Sequence, residues 1–136
     1  MQNDIFERAQ KFFDGVKESP EGVVELNRYN RKIEFEVIDG DSVSVDVKDG
    51  KASLSKGVSD VRNPSVVRFI ADKELLMRLF NGKIRVTDAY AFWMEGKPEK
   101  GHLYLVDTPD RSVGGDDLGP LGRWAARLIR IGQEMR

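Results

Sequence analysis

The sequence of 136 residues contains no cysteine and a single histidine, His102. The absence of cysteine excludes disulfides, thiol catalysis and zinc sites built on thiolates. A single histidine excludes a metal site built on several imidazoles. An excess of charge is also missing, because 22 Lys and Arg oppose 23 Asp and Glu for a net charge of -1. That balance provides no overall field to attract nucleic acid, so no nucleic-acid partner is expected.

Long apolar runs are missing as well. No stretch approaches the roughly 18 apolar residues of a membrane span. Met1 is not followed by the basic and apolar segments of a secretory signal, so the cytoplasm is the expected compartment. What is present, 40% hydrophobic and 33% charged residues, is typical of a soluble globular protein. The length predicts one domain over residues 1–136, with residues 1–30 as an N-terminal helical segment.

Hydrophobic periodicity predicts helices at both ends of the chain and two in its second half. Apolar residues recur at helical spacing from Ile5 to Val16, and Ser19-Pro20-Glu21 favours a second short helix that buries Val23, Val24 and Leu26. Asp72 is expected to cap a helix that stops at Gly82. Thr87 is expected to cap a short helix that stops at Gly96. A closing helix begins near Pro120, with its apolar stripe on Leu121, Trp124, Ala125, Leu128, Ile131 and Met135.

Between these helices the period changes to two, which is typical of strands. Residues 33–37, 43–47 and 52–54 alternate apolar with polar, and Asp49-Gly50 favours a tight hairpin. They predict a three-stranded antiparallel meander with one apolar and one polar face. Residues 66–70 and 102–106 add two strands. The predicted class is α+β, with a sheet of about five mainly antiparallel strands covered on one face by helices.

The polar motifs indicate no catalytic or metal site. His102 has no recognisable carboxylate partner, as a catalytic triad would require. The aspartates at 39, 41, 116 and 117 lie in turns and are out of register for a calcium loop. The glycine-rich residues 114–122 lack the Gly-Lys-Ser/Thr ending of a phosphate-binding loop. No cofactor and no catalytic residue is therefore expected.

Large apolar side chains accumulate in the second half of the chain, where they indicate either a filled core or a cavity for an apolar ligand. Arg123, Arg127 and Arg130 flank the apolar stripe of the closing helix. Three alternative roles would account for these arginines. They could be solvated on the surface, contact an anionic membrane surface transiently, or bind a carboxylate or phosphate head group at a pocket mouth.

Four stretches in order resemble the sterol carrier protein type 2 family of lipid-binding domains. They are the strand-turn-strand-hairpin from Phe35 to Lys51, a short strand followed by the segment Ala71–Lys83, the segment Thr87–Lys97 with Gly101 and a strand after it, and the apolar closing helix. The resemblance spans about residues 30–136. It implies a sheet of about five strands covered by helices, around an apolar tunnel for fatty acyl chains, sterols or similar lipids.

In such a domain, the tunnel wall would come from one strand and three helices. The expected ligand-binding residues are Phe69, Leu75, Leu76, Leu79, Phe80, Ala89, Phe92, Trp93, Met94, Trp124, Leu128 and Ile131, and Arg123 and Arg127 would hold a head group. The predicted function is binding or carrying of an apolar ligand under the C-terminal helix, without catalysis. One alternative is an interaction or accessory module with a collapsed cavity, which could form a homodimer. The other is a small enzyme for lipids or thioesters that uses His102 or a tyrosine.

Overall fold

The computed structural model describes residues 5–58, 66–91, 100–107 and 119–135. Helices and strands alternate in blocks along the chain. The described helices are α1 (Ile5–Val16), α2 (Pro20–Leu26), α3 (Lys73–Phe80), α4 (Val86–Ala89) and α5 (Gly119–Glu134). The strands are β1 (Arg31–Val37), β2 (Val43–Lys48), β3 (Lys51–Lys56), β4 (Val66–Ala71), β5 (Tyr90–Ala91) and β6 (Leu103–Asp107).

These strands form one mixed sheet in the order β3-β2-β1-β4-β6-β5. The neighbours β3–β2, β2–β1 and β4–β6 are antiparallel, whereas β1 and β4 run parallel in the centre and the two-residue β5 runs parallel to β6. The β2–β3 hairpin turns at Asp49 and Gly50, both with positive φ (52° and 81°), as a tight turn of this kind requires. The predicted α+β class and the mainly antiparallel sheet of about five strands are confirmed.

The helices pack on the apolar face of the sheet around a cluster of aromatic rings. Phe35 and Phe69, on the paired central strands, stack with their ring centroids 5.7 Å apart. Phe80 of α3 meets Phe35 edge-on at 5.5 Å, and Phe13 of α1 lies 6.4 Å from Phe80. The aromatic pairs therefore join α1, α3 and both central strands into one core.

The second helix was predicted correctly in position, and Leu26 is buried as expected, but the prediction that Val23 and Val24 are buried was wrong. Ser19 caps α2 as expected, yet Val23 and Val24 are 46% and 57% exposed. The buried residues are Gly22, Glu25 and Leu26. Gly22 faces inward because α2 crosses so close to Val16 that a Cβ would lie 2.8 Å from its carbonyl carbon. That close approach fixes the rotation of α2 and leaves both valines outside.

Four further details differ from the predicted helices and strands. Thr87 lies inside α4 instead of capping it, and α4 ends at Ala89, where Tyr90 and Ala91 enter a strand. Aromatic residues such as Tyr90 favour strands. Tyr90 and Ala91 pair with Leu103 and Tyr104 of β6. Met135 is 42% exposed, because it follows the last residue of α5. The last strand begins at Leu103 instead of His102.

The polar face of the sheet is also buried at its centre. Glu34 of β1 is fully buried, and it lies in register with Arg68 of β4. Arg68 donates from Nε (3.0 Å) and Nη2 (2.8 Å) to Glu34 Oε1, and its Nη1 lies 3.4 Å from Glu36 Oε1. A buried charge is stabilised only when it is paired and hydrogen-bonded, and this geometry meets both conditions.

Candidate functional site

Most of the residues expected to bind a ligand lie where α5 covers α3 and the sheet. Phe92, Trp93 and Met94 of that prediction lie outside the described residues. The other nine predicted residues are buried and belong to one contiguous hydrophobic cluster: Phe69, Leu75, Leu76, Leu79, Phe80, Ala89, Trp124, Leu128 and Ile131. Five of them have no solvent-accessible surface at all: Phe69, Leu76, Leu79, Trp124 and Leu128. The structure therefore brings the nine together in a single buried cluster.

The helix α5 is fixed over this cluster by specific contacts with α1 and α2. Trp124 is fully buried, and its indole Nε1 donates to the carbonyl oxygen of Glu25 at 2.7 Å. Tyr29 packs edge-on against the same indole with centroids 5.3 Å apart. Gly132 meets the ring of Phe12 so closely that a Cβ would lie 2.8 Å from Cε1. The Trp124 hydrogen bond and the close approach of Gly132 to Phe12 thus help to fix the position of α5.

An open cleft runs between α4 and α5, beside the buried cluster. Its volume is about 300 Å³, at the lower end of the range for small-molecule sites. It is lined by Arg85, Val86, Thr87, Ala126, Arg127, Arg130 and Gln133. The exposed surface of this cleft is mostly apolar, and it carries guanidinium groups from α5 and from the residue before α4. An amphiphile, with an apolar body and a polar end, has the matching chemistry.

Each guanidinium of the cleft also contacts a carboxylate of the chain. Arg127 Nε lies 3.3 Å from Glu25 Oε1, and Arg85 Nε donates to Asp88 Oδ2 at 3.0 Å. Arg130 Nη1 donates to Glu134 Oε2 at 2.9 Å, and its Nη2 bonds to Glu21 on α2. The predicted head-group residue Arg127 therefore lies at the cleft, whereas Arg123 lies on the exposed side of α5 and is not among its lining residues.

Arg85 and Gln133 were not among the site residues predicted from the sequence. Both reach the cleft only because α4 and the segment before it lie against α5. They are far apart in sequence, and no periodic signal connects them. Only the packing of the two helices could identify them.

The carboxylate of Glu25 connects the cleft to α2. Burial raises the pKa of this carboxyl, but the hydrogen bonds from Arg28 and the charges of Arg127 and Arg28 outweigh burial and hold the pKa below its ordinary value. Arg28 Nε donates to Glu25 Oε1 at 2.9 Å, and Nη2 donates to Oε2 at 3.3 Å. Glu25 is therefore ionised at neutral pH and pairs with arginines on both sides of it.

This lowered pKa predicts a pH dependence of stability. A carboxyl whose pKa is lower in the folded state stabilises the fold above its unfolded pKa, and that contribution is lost as the pH falls through the folded value. We expect Glu25→Gln to lower the free energy of unfolding at pH 7 by about 1–2 kcal/mol, the scale of a charged hydrogen bond that is partly exposed. Urea denaturation between pH 7 and 3 should show the gap from wild type closing as the pH falls. Glu18→Gln, an exposed carboxylate just before α2, is the control, and an equal change in that variant would contradict the role of Glu25.

The other candidate residues form no reactive group in the part of the chain that the structure describes. His102 is exposed, and its ring lies 6.0 Å from that of Tyr104. No group of three His, Asp or Glu side chains that could hold a metal ion occurs among the described residues. Within the same residues, no helix is both long enough and apolar enough to cross a bilayer.

Two solved structures share this fold. A crystal structure of sterol carrier protein 2 aligns over 94% of this chain and 95% of its own, with a TM-score of 0.61 and 16% identity. A solution structure of a conserved hypothetical protein from Thermus thermophilus, which its description relates to sterol carrier proteins, aligns over 95% of this chain and 86% of its own, with a TM-score of 0.55 and 14% identity. No family model matches the sequence, and no curated protein matches it significantly. The predicted resemblance is therefore confirmed for the fold.

Proposed function

We propose that this protein binds and carries an apolar ligand, a fatty acid or a similar acyl lipid, beneath α5. The observation that carries the proposal is the mainly apolar cleft between α4 and α5, which lies beside a large buried hydrophobic cluster. The fold shared with sterol carrier protein 2 supports it. The acyl chain would enter along the cleft and pass between α5 and the residues of α3 and β4.

Burial of the chain supplies the driving force. Each methylene group removed from water contributes about 0.8 kcal/mol. Opposing this is the cost of separating side chains that are now closely packed, since Leu76, Leu79 and Leu128 have no accessible surface. A long saturated or singly unsaturated chain can offset that cost, whereas a short one cannot. The proposal therefore favours long-chain ligands over short-chain ones.

The head group would lie at the cleft mouth on Arg127. This guanidinium shares the Glu25 carboxylate with Arg28, which already contacts both of its oxygens. A ligand carboxylate could therefore bind Arg127 while Glu25 keeps its pair with Arg28. Arg123, one turn earlier on the exposed side of α5, would interact with the head group only outside the cleft.

The first test is native mass spectrometry of the protein purified without detergent, before and after organic extraction, and again with added oleate. We expect a bound species of a few hundred daltons, or saturable uptake of one oleate. If the mass and the tryptophan fluorescence stay unchanged with oleate, the carrier proposal is wrong.

One observation favours the interaction module as the second candidate. The nine described residues of the expected wall are all buried in one cluster, as they would be in a permanently closed core. An interaction module would not bind oleate and would have a surface for a partner elsewhere on the molecule. A second copy of this chain is one candidate for that partner. Sedimentation of the same sample distinguishes a monomer from a homodimer.

The arginine variants test the head-group assignment. We expect Arg127→Gln to weaken oleate binding by about tenfold, because one charge-assisted contact at a half-exposed site is lost. Oleyl alcohol has the same chain without the carboxylate, and its affinity should not change. Arg31→Gln, an exposed arginine at the start of β1 that does not line the cleft, is the control. If the double variant Arg123→Gln/Arg127→Gln still binds oleate at wild-type affinity in titration calorimetry, the assignment is wrong even where binding itself is real.

A further inference from the structure

The side chain of Gln133, which lines the cleft, connects two backbone segments. Its Nε2 donates at 2.8 Å to the carbonyl oxygen of Leu79 and at 2.8 Å to that of Ile84. Leu79 belongs to the last turn of α3, and Ile84 lies just before α4. One carboxamide on α5 therefore joins the two sides of the turn that links α3 to α4.

The segment 84–89 has few regular backbone bonds of its own. It contains the single-turn helix α4, in which the amides of Asp88 and Ala89 both donate to the carbonyl of Arg85. Gly82, with φ of 71°, lies just before the segment and can accommodate a change of backbone direction. The strand pairing of Tyr90 with Leu103 holds its other end. The far end of the segment is thus held by strand pairing, and its first residue, Ile84, is held on α5 by Gln133.

The inner side of this segment closes the buried cluster toward the cleft. Val86 lines the cleft and is also a buried member of the hydrophobic cluster. Ala89 is a buried member of the same cluster. The same cluster contains Leu79, whose carbonyl Gln133 holds. Outward movement of residues 84–89 would therefore join the cleft to the hydrophobic interior.

We propose that residues 84–89 form the movable wall of the cleft and that the Gln133 carboxamide is the latch that keeps this wall closed. The latch controls how fast a ligand enters and leaves the cluster. This inference rests on the proposed function for its ligand, but the holding of the segment by Gln133 does not depend on any ligand.

Hydrogen exchange tests the latch directly. In Gln133→Ala, the amides of Asp88 and Ala89 should exchange about tenfold faster than in wild type, because the hydrogen bond that holds Ile84 on α5 and opposes opening is removed. The amides of α1 report on global unfolding and should keep their rates. Gln10→Ala is the matched control, since Gln10 donates to Asp14 within α1 at the protein surface. Unchanged α4 amides would overturn the inference, and so would equal acceleration in α1, which would mean that Gln133 stabilises the whole fold.

Stopped-flow fluorescence with oleate tests the consequence for a ligand. Association and dissociation should both accelerate by about tenfold in Gln133→Ala, with a smaller change in the equilibrium constant, whereas Gln10→Ala should match wild type. If the α4 amides accelerate but both oleate rates do not, Gln133 holds the segment without controlling access, and the access role is wrong. If wild type binds no oleate, the proposed function and the access role both fail, while the exchange data still show whether the latch exists.

Discussion

Replacing Arg68 with methionine is expected to lower the free energy of unfolding by about 3–5 kcal/mol, the cost of removing one partner of a buried ion pair. Arg68 donates two hydrogen bonds to Glu34 Oε1, and Glu34 has no exposed surface. Methionine keeps much of the apolar stem but leaves the buried carboxylate without its guanidinium. Guanidinium chloride denaturation followed by circular dichroism measures the change.

A double variant separates the loss of charge pairing from the loss of packing. Glu34→Leu combined with Arg68→Met replaces both charges by apolar groups, and such replacements are often neutral. We expect the double variant to recover most of the stability lost in Arg68→Met. Glu36 remains, but it is partly exposed and keeps contact with water. If the double variant is as unstable as Arg68→Met, the loss is due to packing and the electrostatic explanation is wrong.

Replacing Gly22 with alanine is expected to cost about 2–3 kcal/mol of stability, because the new methyl group overlaps backbone that cannot rotate away. A Cβ at this position would lie 2.8 Å from the carbonyl carbon of Val16 and closer still to its oxygen. Relief requires α2 to move away from the end of α1. Thermal denaturation should show a clearly lower midpoint.

Gly15→Ala provides the matched control on the neighbouring helix. There the added Cβ would meet Met135 Cβ at 3.7 Å, an ordinary contact. Alanine also favours helix over glycine by roughly 0.5–1 kcal/mol. We therefore expect Gly15→Ala to be neutral or stabilising. A loss in Gly15→Ala equal to that in Gly22→Ala would contradict the steric explanation.

Periodicity predicts elements well here because each strand or helix carries its own local signal. Alternation identified β1, β2 and β3, and the Asp49-Gly50 turn set the register of the β2–β3 hairpin. The same alternation could not show that Glu34 is buried, because that depends on Arg68, which lies 34 positions later and is brought into register by a parallel pairing. Local pattern likewise favoured Val23 and Val24 as buried, whereas a contact between Gly22 and Val16 decided the rotation of α2.

The candidate site was predicted only in part, for a related reason. The nine described residues of the expected wall lie together in one buried cluster, but no sequence pattern distinguishes a filled cluster from an open one. The cleft itself depends on how α4 lies against α5, so Arg85 and Gln133 carried no local signal. Arg127 could be selected because it flanks the apolar stripe of its own helix.

The contact between the second and the last helix, α2 and α5, has a consequence for biosynthesis. Trp124 donates to Glu25 across 99 positions, and Arg130 reaches Glu21 across 109. During translation, α5 emerges from the ribosome well after α1, α2 and the β1–β3 meander. The apolar surfaces of these earlier elements therefore stay uncovered until α5 has been translated. Such nonlocal closure slows folding and exposes intermediates to aggregation.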